Sequence, residues 1–123
     1  MPNPVVHFEI AGLDEERTLN FYKSIFEWEI QSMPMEGMNY NIVSTGRIDG
    51  NGIDGGIMQA PHGHAFSAFY IHVDSLRGTL DKIIAAGGEE AVPPTPIPGM
   101  GAFAFFKDPD GNLIGLYRNG DGD

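Results

Sequence analysis

The chain of 123 residues carries one pattern twice. The first copy runs from Val5–Ile10 to Gly55–Met58, and the second runs from Phe69–Val73 to Asn112–Leu116. In each copy a short run of β-branched and aromatic residues leads to an Asp, an amphipathic helical segment and several short strand patterns. Because an internal repeat constrains the architecture more than any single motif does, we expect two copies of a β-α-β-β-β unit.

Both helices are predicted from a capping residue and from the spacing of apolar side chains. Asp14 is the expected N-cap of the first helix and Asp74 that of the second, since a short polar side chain there satisfies free backbone N–H groups. Helical spacing predicts buried stripes on both helices: Leu19, Tyr22 and Phe26 with Ile25 beside them on the first, and Leu76, Leu80, Ile83 and Ile84 on the second.

The strand patterns complete the predicted fold class, which is α+β. Two βαβββ modules, at about residues 4–58 and 65–118 with a linker at about 59–64, are expected to form curved mixed sheets around a cleft within one domain of residues 1–123. The fourth strand is placed at about residues 52–58, and the proline-rich run 93–98 is placed after a short strand, Glu90–Val92. An all-strand sandwich is the alternative, but the two capped helical patterns argue against it.

Composition excludes several classes of function. Seven basic against 17 acidic residues give a formal net charge of −10, which would repel nucleic-acid phosphates. There is no cysteine, so disulfides and thiolate metal sites are excluded. No apolar run approaches the roughly 20 residues that span a bilayer, and the first residues lack the pattern of a secretory signal. We therefore expect a cytoplasmic protein with neither a nucleic-acid nor a membrane partner.

Several segments, in order and at matching spacing, resemble the vicinal-oxygen-chelate superfamily of glyoxalases, bleomycin-resistance proteins and extradiol dioxygenases, and in particular its glyoxalase-related bacterial branch. They are Val6–Ile10, Leu19–Ile30, Gly55–Met58, Tyr70–Asp74, Ala85–Gly88 and Phe106–Asn112. The resemblance implies paired βαβββ modules and usually a homodimer. In metal-dependent members it implies a divalent metal held by a His and an acid in the first module, and by a His or acid and a Glu in the second.

Compared with that ligand pattern, this chain keeps one well-placed ligand, His7. Ala68 and Gly115 stand where the second module should supply ligands, and neither has a ligating atom. In the first module, only Asp54 could ligate near the expected position. A catalytic metal site normally keeps about three protein ligands, so no metal cofactor is expected. The alternative is a relocated site for Zn, Ni, Fe or Mn that uses His7 and His72 with Glu9 or Asp54.

Candidate functional residues come from the alternation of side chains along strands. His7 and Glu9 share one face of the first strand, about 7 Å apart, and with Tyr70 they are the candidate catalytic residues. The predicted cleft lining is Met58, Ala68, His72, Met100, Phe103 and Phe105. The competing interpretation is that His7 is an inherited hydrogen-bonded histidine and Glu9 a charge-paired wall residue.

Three functions follow as hypotheses, and whether the chain is an enzyme differs among them. The first is a glyoxalase-related protein that binds a small organic molecule in its cleft, with any chemistry being metal-independent acid–base catalysis. The second is a sequestering protein of the bleomycin-resistance type, whose negative charge suits a cationic ligand. The third is a metal-dependent lyase, isomerase or dioxygenase with a relocated metal site.

Overall fold

The computed structural model describes residues 2–35, 37–46 and 52–120, and of residues 35 and 38 only the backbone. Within that part of the chain the order is β-α-β-β-β, twice, which confirms the predicted α+β class with two such modules. The elements are β1 (Val5–Gly12), α1 (Glu15–Phe26), β2 (Glu29–Met35), β3 (Met38–Ser44), β4 (Gly55–Gln59), β5 (Phe66–His72), α2 (Leu76–Ala85), β6 (Glu89–Ile97), β7 (Gly101–Lys107) and β8 (Leu113–Asn119). In the described residues, neither helix is long and apolar enough to cross a membrane.

The chain divides into two compact units. The first unit is His7–Ala68, and the second joins the residues before His7 to those from Phe69 on. The strand order is β2-β3-β4-β1 in the first unit and β5-β8-β7-β6 in the second. Each unit has a mixed sheet, because β1 pairs with β4 and β5 with β8 in parallel while the other pairs are antiparallel. The module and linker boundaries proposed above remain predictions.

The second unit has its core between α2 and its sheet. Leu76 and Leu80 are fully buried there, as predicted, whereas Ile84 is 49% exposed. The N-cap is Ser75, whose hydroxyl oxygen accepts the backbone N–H of Gly78 at 2.9 Å. The prediction of Asp74 as the cap was therefore wrong by one residue. The extended backbone continues through Ser75, so the free N–H groups of the first turn point to the serine.

The first unit departs further from expectation, because α1 buries none of its residues. Asp14 caps it as predicted by accepting the backbone N–H of Arg17 at 3.1 Å. The predicted buried stripe is wrong, since Ile25 and Phe26 are more than half exposed. The rings near the end of the helix pack on one another instead, with Tyr22 lying parallel to Trp28 at 5.4 Å between centroids.

β6 is longer than predicted and takes in the prolines that were placed outside it. It runs to Ile97 and pairs with β7, as the last strand in its unit's sheet order. Proline has no N–H to give to a ladder, so an edge strand is where it is tolerated. The register shifts between Glu90 and Val92 and again between Val92 and Thr95, which fits the interrupted hydrogen bonding of such a strand.

Candidate active site

Three polar side chains of the first unit form a continuous hydrogen-bonded array, here called the polar triad: His7, Tyr40 and Glu9. The Tyr40 hydroxyl donates to Glu9 Oε1 at 2.8 Å. The same hydroxyl lies 2.8 Å from His7 Nε2. Glu9 is only 3% exposed, whereas His7 and Tyr40 are partly buried. Of the triad, Glu9 is therefore the member most withdrawn from solvent.

A glycine on the intervening strand allows Tyr40 to reach Glu9. β4 lies between β3 and β1, and Gly56 on β4 pairs with Ile42 on one side and with Glu9 on the other. A Cβ atom built on Gly56 would lie 1.8 Å from the Tyr40 hydroxyl oxygen and 2.0 Å from its Cζ. The ring of Tyr40 thus crosses β4 at a position where that strand has no side chain, a close approach of the kind that glycine in a strand permits.

Burial shapes the protonation of the triad. Desolvation lowers the pKa of His7, and the negative charge of Asp54 opposes part of that shift. Desolvation also raises the pKa of Tyr40, and the charge and hydrogen bond of Glu9 raise it further. The imidazole and the phenol are accordingly both neutral near pH 7. A neutral imidazole is the form that accepts a proton in acid–base catalysis.

Sequence reasoning found two of the three residues of the triad. The alternation along β1 places His7 and Glu9 on one face, as predicted, but Tyr40 was missed. The tyrosine selected from the sequence, Tyr70, lies in the second unit. It is 7% exposed there, and its ring centroid is 5.4 Å from that of Phe105. A catalytic role for Tyr70 stays a prediction.

The residues predicted to line a cleft occupy several different settings. Phe103 and Phe105 lie on β7 with their ring centroids 5.8 Å apart. The His72 Nε2 atom is 3.2 Å from Asn119 Nδ2. Met100 lies between β6 and β7 and is 48% exposed. The other two, Met58 on β4 and Ala68 on β5, are partly buried, and the lining role of the whole set remains a prediction.

The strand registers show which positions of the two modules correspond. His7 and Ala68 each lie seven residues before the N-cap of their helix. Glu9 pairs with Gly56 across parallel strands in the first unit, as Tyr70 pairs with Gly115 in the second. The repeat therefore equates Gly56 with Gly115, so both modules have glycine at the last-strand position where the resemblance implies an acidic ligand.

The residues present do not fit the metal centre that the resemblance implies. No ligating atom is supplied by Ala68, Gly56 or Gly115. Tyrosine rings already occupy the space beside both glycines. A Cβ atom on Gly115 would lie 2.5 Å from the ring of Tyr70. In the part of the chain that is described, no group of three or more His, Cys, Asp or Glu side chains could hold a metal ion. No reaction step is therefore assigned to a metal.

Asp54, the other ligand considered from the sequence, has a structural role of its own. It lies just before β4, and its Oδ1 atom accepts the backbone N–H of Thr45 at 3.2 Å. Its negative charge raises the pKa of His7, against the larger lowering by desolvation. Asp54 thus belongs to the electrostatic surroundings of the polar triad.

Comparison with known sequences places this architecture in a family. The model of the Glyoxalase/Bleomycin resistance protein/Dioxygenase superfamily matches residues 5–116. The protein CFP32 of Mycobacterium tuberculosis is 27% identical over 115 residues, which cover 89% of this chain but 43% of that protein. This chain thus spans less than half the length of that relative. A probable lactoylglutathione lyase of Vibrio cholerae is 27% identical over 124 residues, with 94% of this chain and 90% of that protein covered.

Solved structures show the same fold at lower sequence identity. The hypothetical protein BH1468 from Bacillus halodurans C-125 superposes with a TM-score of 0.71 at 15% identity, covering 98% of this chain and 97% of its own. Methylmalonyl-CoA epimerase from Mycobacterium tuberculosis gives a TM-score of 0.67 at 13% identity, with coverages of 95% and 88%. Since the family model also spans most of the sequence, this chain belongs to the Glyoxalase/Bleomycin resistance protein/Dioxygenase superfamily.

Proposed function

We propose that the chain binds a small organic molecule and acts on it by metal-independent acid–base chemistry, with His7 exchanging a proton with the ligand. The polar triad is the observation that carries this proposal. His7 is partly accessible, is neutral near pH 7 and is connected through Tyr40 to a buried carboxylate. A histidine held in this way is suited to remove a proton from a carbon next to a carbonyl group.

Glu9 and Tyr40 have different roles from His7 in this proposal. Glu9 is 3% exposed, so it acts on a ligand through its neighbours. When His7 takes up a proton, the carboxylate two hydrogen bonds away opposes the cost of placing positive charge in a partly desolvated site. Glu9 and Tyr40 are therefore positioning residues, and His7 is the catalytic residue. The name of the Vibrio cholerae relative, a lactoylglutathione lyase, supports enzyme activity of some kind.

Deuterium exchange tests this proposal even while the substrate is unidentified. In D₂O, we expect the protein to exchange C–H protons of at least one member of a panel of small ketones and hydroxyketones, as followed by proton NMR. The rate should rise with pH through a midpoint below the ordinary histidine pKa of about 6.5, because burial lowers the pKa of His7. His7→Asn should return the rate to that of buffer, and Tyr40→Phe should lower it by about tenfold or more.

The matched control is Tyr117→Phe, which also removes one tyrosine hydroxyl. That hydroxyl donates to the carbonyl oxygen of Met100 in the second unit, outside the triad. The control should exchange at the wild-type rate. No exchange with any compound of the panel, or equal loss in both tyrosine variants, would contradict acid–base catalysis by the triad.

We also propose that the chain forms a homodimer. Members of the superfamily often do so, and α1 of this chain presents Phe21, Ile25 and Phe26, each more than half exposed. Burying such apolar surface is favourable at about 25 cal/mol per Å². Light scattering coupled to gel filtration should give about twice the 13.4 kDa of one chain, and Ile25→Lys should shift the mass toward the monomer. A wild-type mass of one chain would overturn this proposal.

Two other functions stay alternative predictions from the sequence. One is sequestration of a cationic ligand, and the other is metal-dependent chemistry at a relocated site. Cytoplasmic location likewise stays a prediction from composition.

A further inference from the structure

We propose that Asn41 is a positioning residue for the polar triad: its buried side chain fixes the last pair of the β3–β4 ladder and so holds Tyr40 over Gly56. Asn41 directly follows Tyr40 on β3 and is 1% exposed. The two side chains point to opposite faces of the sheet, since neighbours in a strand alternate. The effect of Asn41 on the triad is therefore transmitted by the backbone of β3.

The carboxamide of Asn41 makes hydrogen bonds to three different elements. Its Nδ2 atom donates to the carbonyl oxygen of Ile57 on β4 at 3.0 Å and to Glu15 Oε2 on α1 at 2.7 Å. Its Oδ1 atom accepts the hydroxyl of Ser32 on β2 at 2.9 Å. A backbone carbonyl can only accept, so the nitrogen of the carboxamide must face Ile57. Both protons on Nδ2 are then in use, and the orientation of the side chain is fixed.

These hydrogen bonds lie where β3 and β4 part. In the described residues, the pairing of the two strands ends with Asn41 opposite Ile57, next to Ile42 opposite Gly56. Tyr40 lies just beyond that end, so the β3–β4 ladder does not hold its backbone directly. The bond from the Asn41 side chain to the Ile57 carbonyl strengthens the last pair. The place of the Tyr40 ring above Gly56 depends on that pair.

Nuclear Overhauser contacts between the Tyr40 ring and the α-protons of Gly56 test the proposal, on protein labelled and assigned with ¹³C and ¹⁵N. We expect strong contacts in the wild type, because Cε2 of the ring lies 2.5 Å from a Cβ position built on Gly56. Asn41→Leu keeps a buried side chain of similar size but removes all three hydrogen bonds. The buried carbonyl of Ile57 then loses this donor, and the two strands should part at their last pair. The contacts should be lost or become much weaker.

Gln59→Leu is the matched control, since it also replaces an amide side chain that binds the start of α1. Gln59 lies on β4, accepts the backbone N–H of Glu15 at 2.8 Å and donates to the carbonyl oxygen of Leu13 at 2.6 Å. Neither bond joins β3 to β4, so this variant should keep the wild-type contacts. If it loses them as Asn41→Leu does, the attachment of α1 sets the place of Tyr40, and the proposal is wrong.

A folded Asn41→Leu protein with wild-type contacts between Tyr40 and Gly56 would also overturn the proposal. A merely structural role for Asn41 predicts that result, because lower stability alone does not move a ring in the folded protein. If Asn41→Leu does not fold, Asn41→Ala is measured in the same way. The wild type offers a check without any variant. Both Nδ2 protons of Asn41 should be protected from exchange with solvent, and rapid exchange would contradict the hydrogen bonds that fix the last pair.

The consequence for catalysis rests on the proposed function and is measured separately. Asn41→Leu should lower the deuterium-exchange rate by about tenfold or more, because a displaced Tyr40 no longer connects His7 to Glu9. Gln59→Leu should exchange at the wild-type rate. An unchanged rate in an Asn41→Leu protein whose Tyr40 ring has moved would refute the catalytic consequence. A wild type that exchanges no compound would refute the proposed function, while the NMR contacts still decide the role of Asn41.

Discussion

Replacing Gly56 by alanine should lower the free energy of unfolding by about 2–3 kcal/mol, as expected for overpacking combined with the loss of buried hydrogen bonds. The added Cβ would lie 1.8 Å from the Tyr40 hydroxyl oxygen, so the ring must leave its place. Tyr40 would then lose its hydrogen bonds to His7 and Glu9 together. Urea unfolding measures the free energy of unfolding. The proton NMR signals of the His7 ring, assigned by their absence in His7→Asn, show whether its contact with Tyr40 has been lost.

The control for Gly56→Ala is the same change in a Tyr40→Ala background. There the clash is removed in advance, and Gly56 has no left-handed backbone conformation that an alanine would strain. In that background, Gly56→Ala should lower the free energy of unfolding much less than it does in the wild type. The difference gives a coupling energy above about 1 kcal/mol in a double-mutant cycle. If Gly56→Ala lowers the free energy of unfolding equally in the two backgrounds, the position of the Tyr40 ring does not depend on Gly56.

Replacing Gly115 by glutamate should lower the free energy of unfolding by about 3 kcal/mol or more, and should not create a metal site. The substitution restores the residue type that the family's ligand pattern has at this position. However, its Cβ would lie 2.5 Å from the ring of Tyr70, and both residues are buried. Thermal unfolding with and without nickel, zinc, iron(II) and manganese measures both effects.

The matched experiment combines Gly115→Glu with Tyr70→Ala. Truncating the ring alone leaves a cavity and should cost about 3–5 kcal/mol. The double variant should cost less than the two single changes added together, because the glutamate side chain can enter the vacated space. A stable Gly115→Glu protein whose melting temperature rises with one of these metals would contradict our conclusion that the ring of Tyr70 occupies the space beside Gly115.

The parts of the fold that the sequence predicted well depend on local signals. The repeat predicted both modules, and alternation along β1 placed His7 and Glu9 on one face. The cap at Asp14 follows from a side chain and an N–H three residues apart. The cap of α2 was missed by one residue, since Asp74 and Ser75 are both good capping residues and only the backbone conformation selects between them.

The parts of the fold that the sequence did not predict depend on packing between distant segments. Tyr40 lies 31 residues from Glu9 in sequence, and the two meet only through the registers of three strands. The signal that could have found it is a glycine within a strand next to an aromatic residue on the neighbouring one. The exposure of α1 was equally hidden, because helical spacing predicts an apolar face but not what covers it.

The packing of Tyr70 against Gly115 also bears on how this lineage can evolve. A side chain at residue 115 would collide with the tyrosine before it could contribute a ligand, and the same holds for residue 56 and Tyr40. Single substitutions toward the family's ligand set would therefore pass through destabilised proteins, which selection removes when stability is marginal. To gain the family's metal ligands at these positions without loss of stability, the chain must replace each glycine and the large ring beside it together.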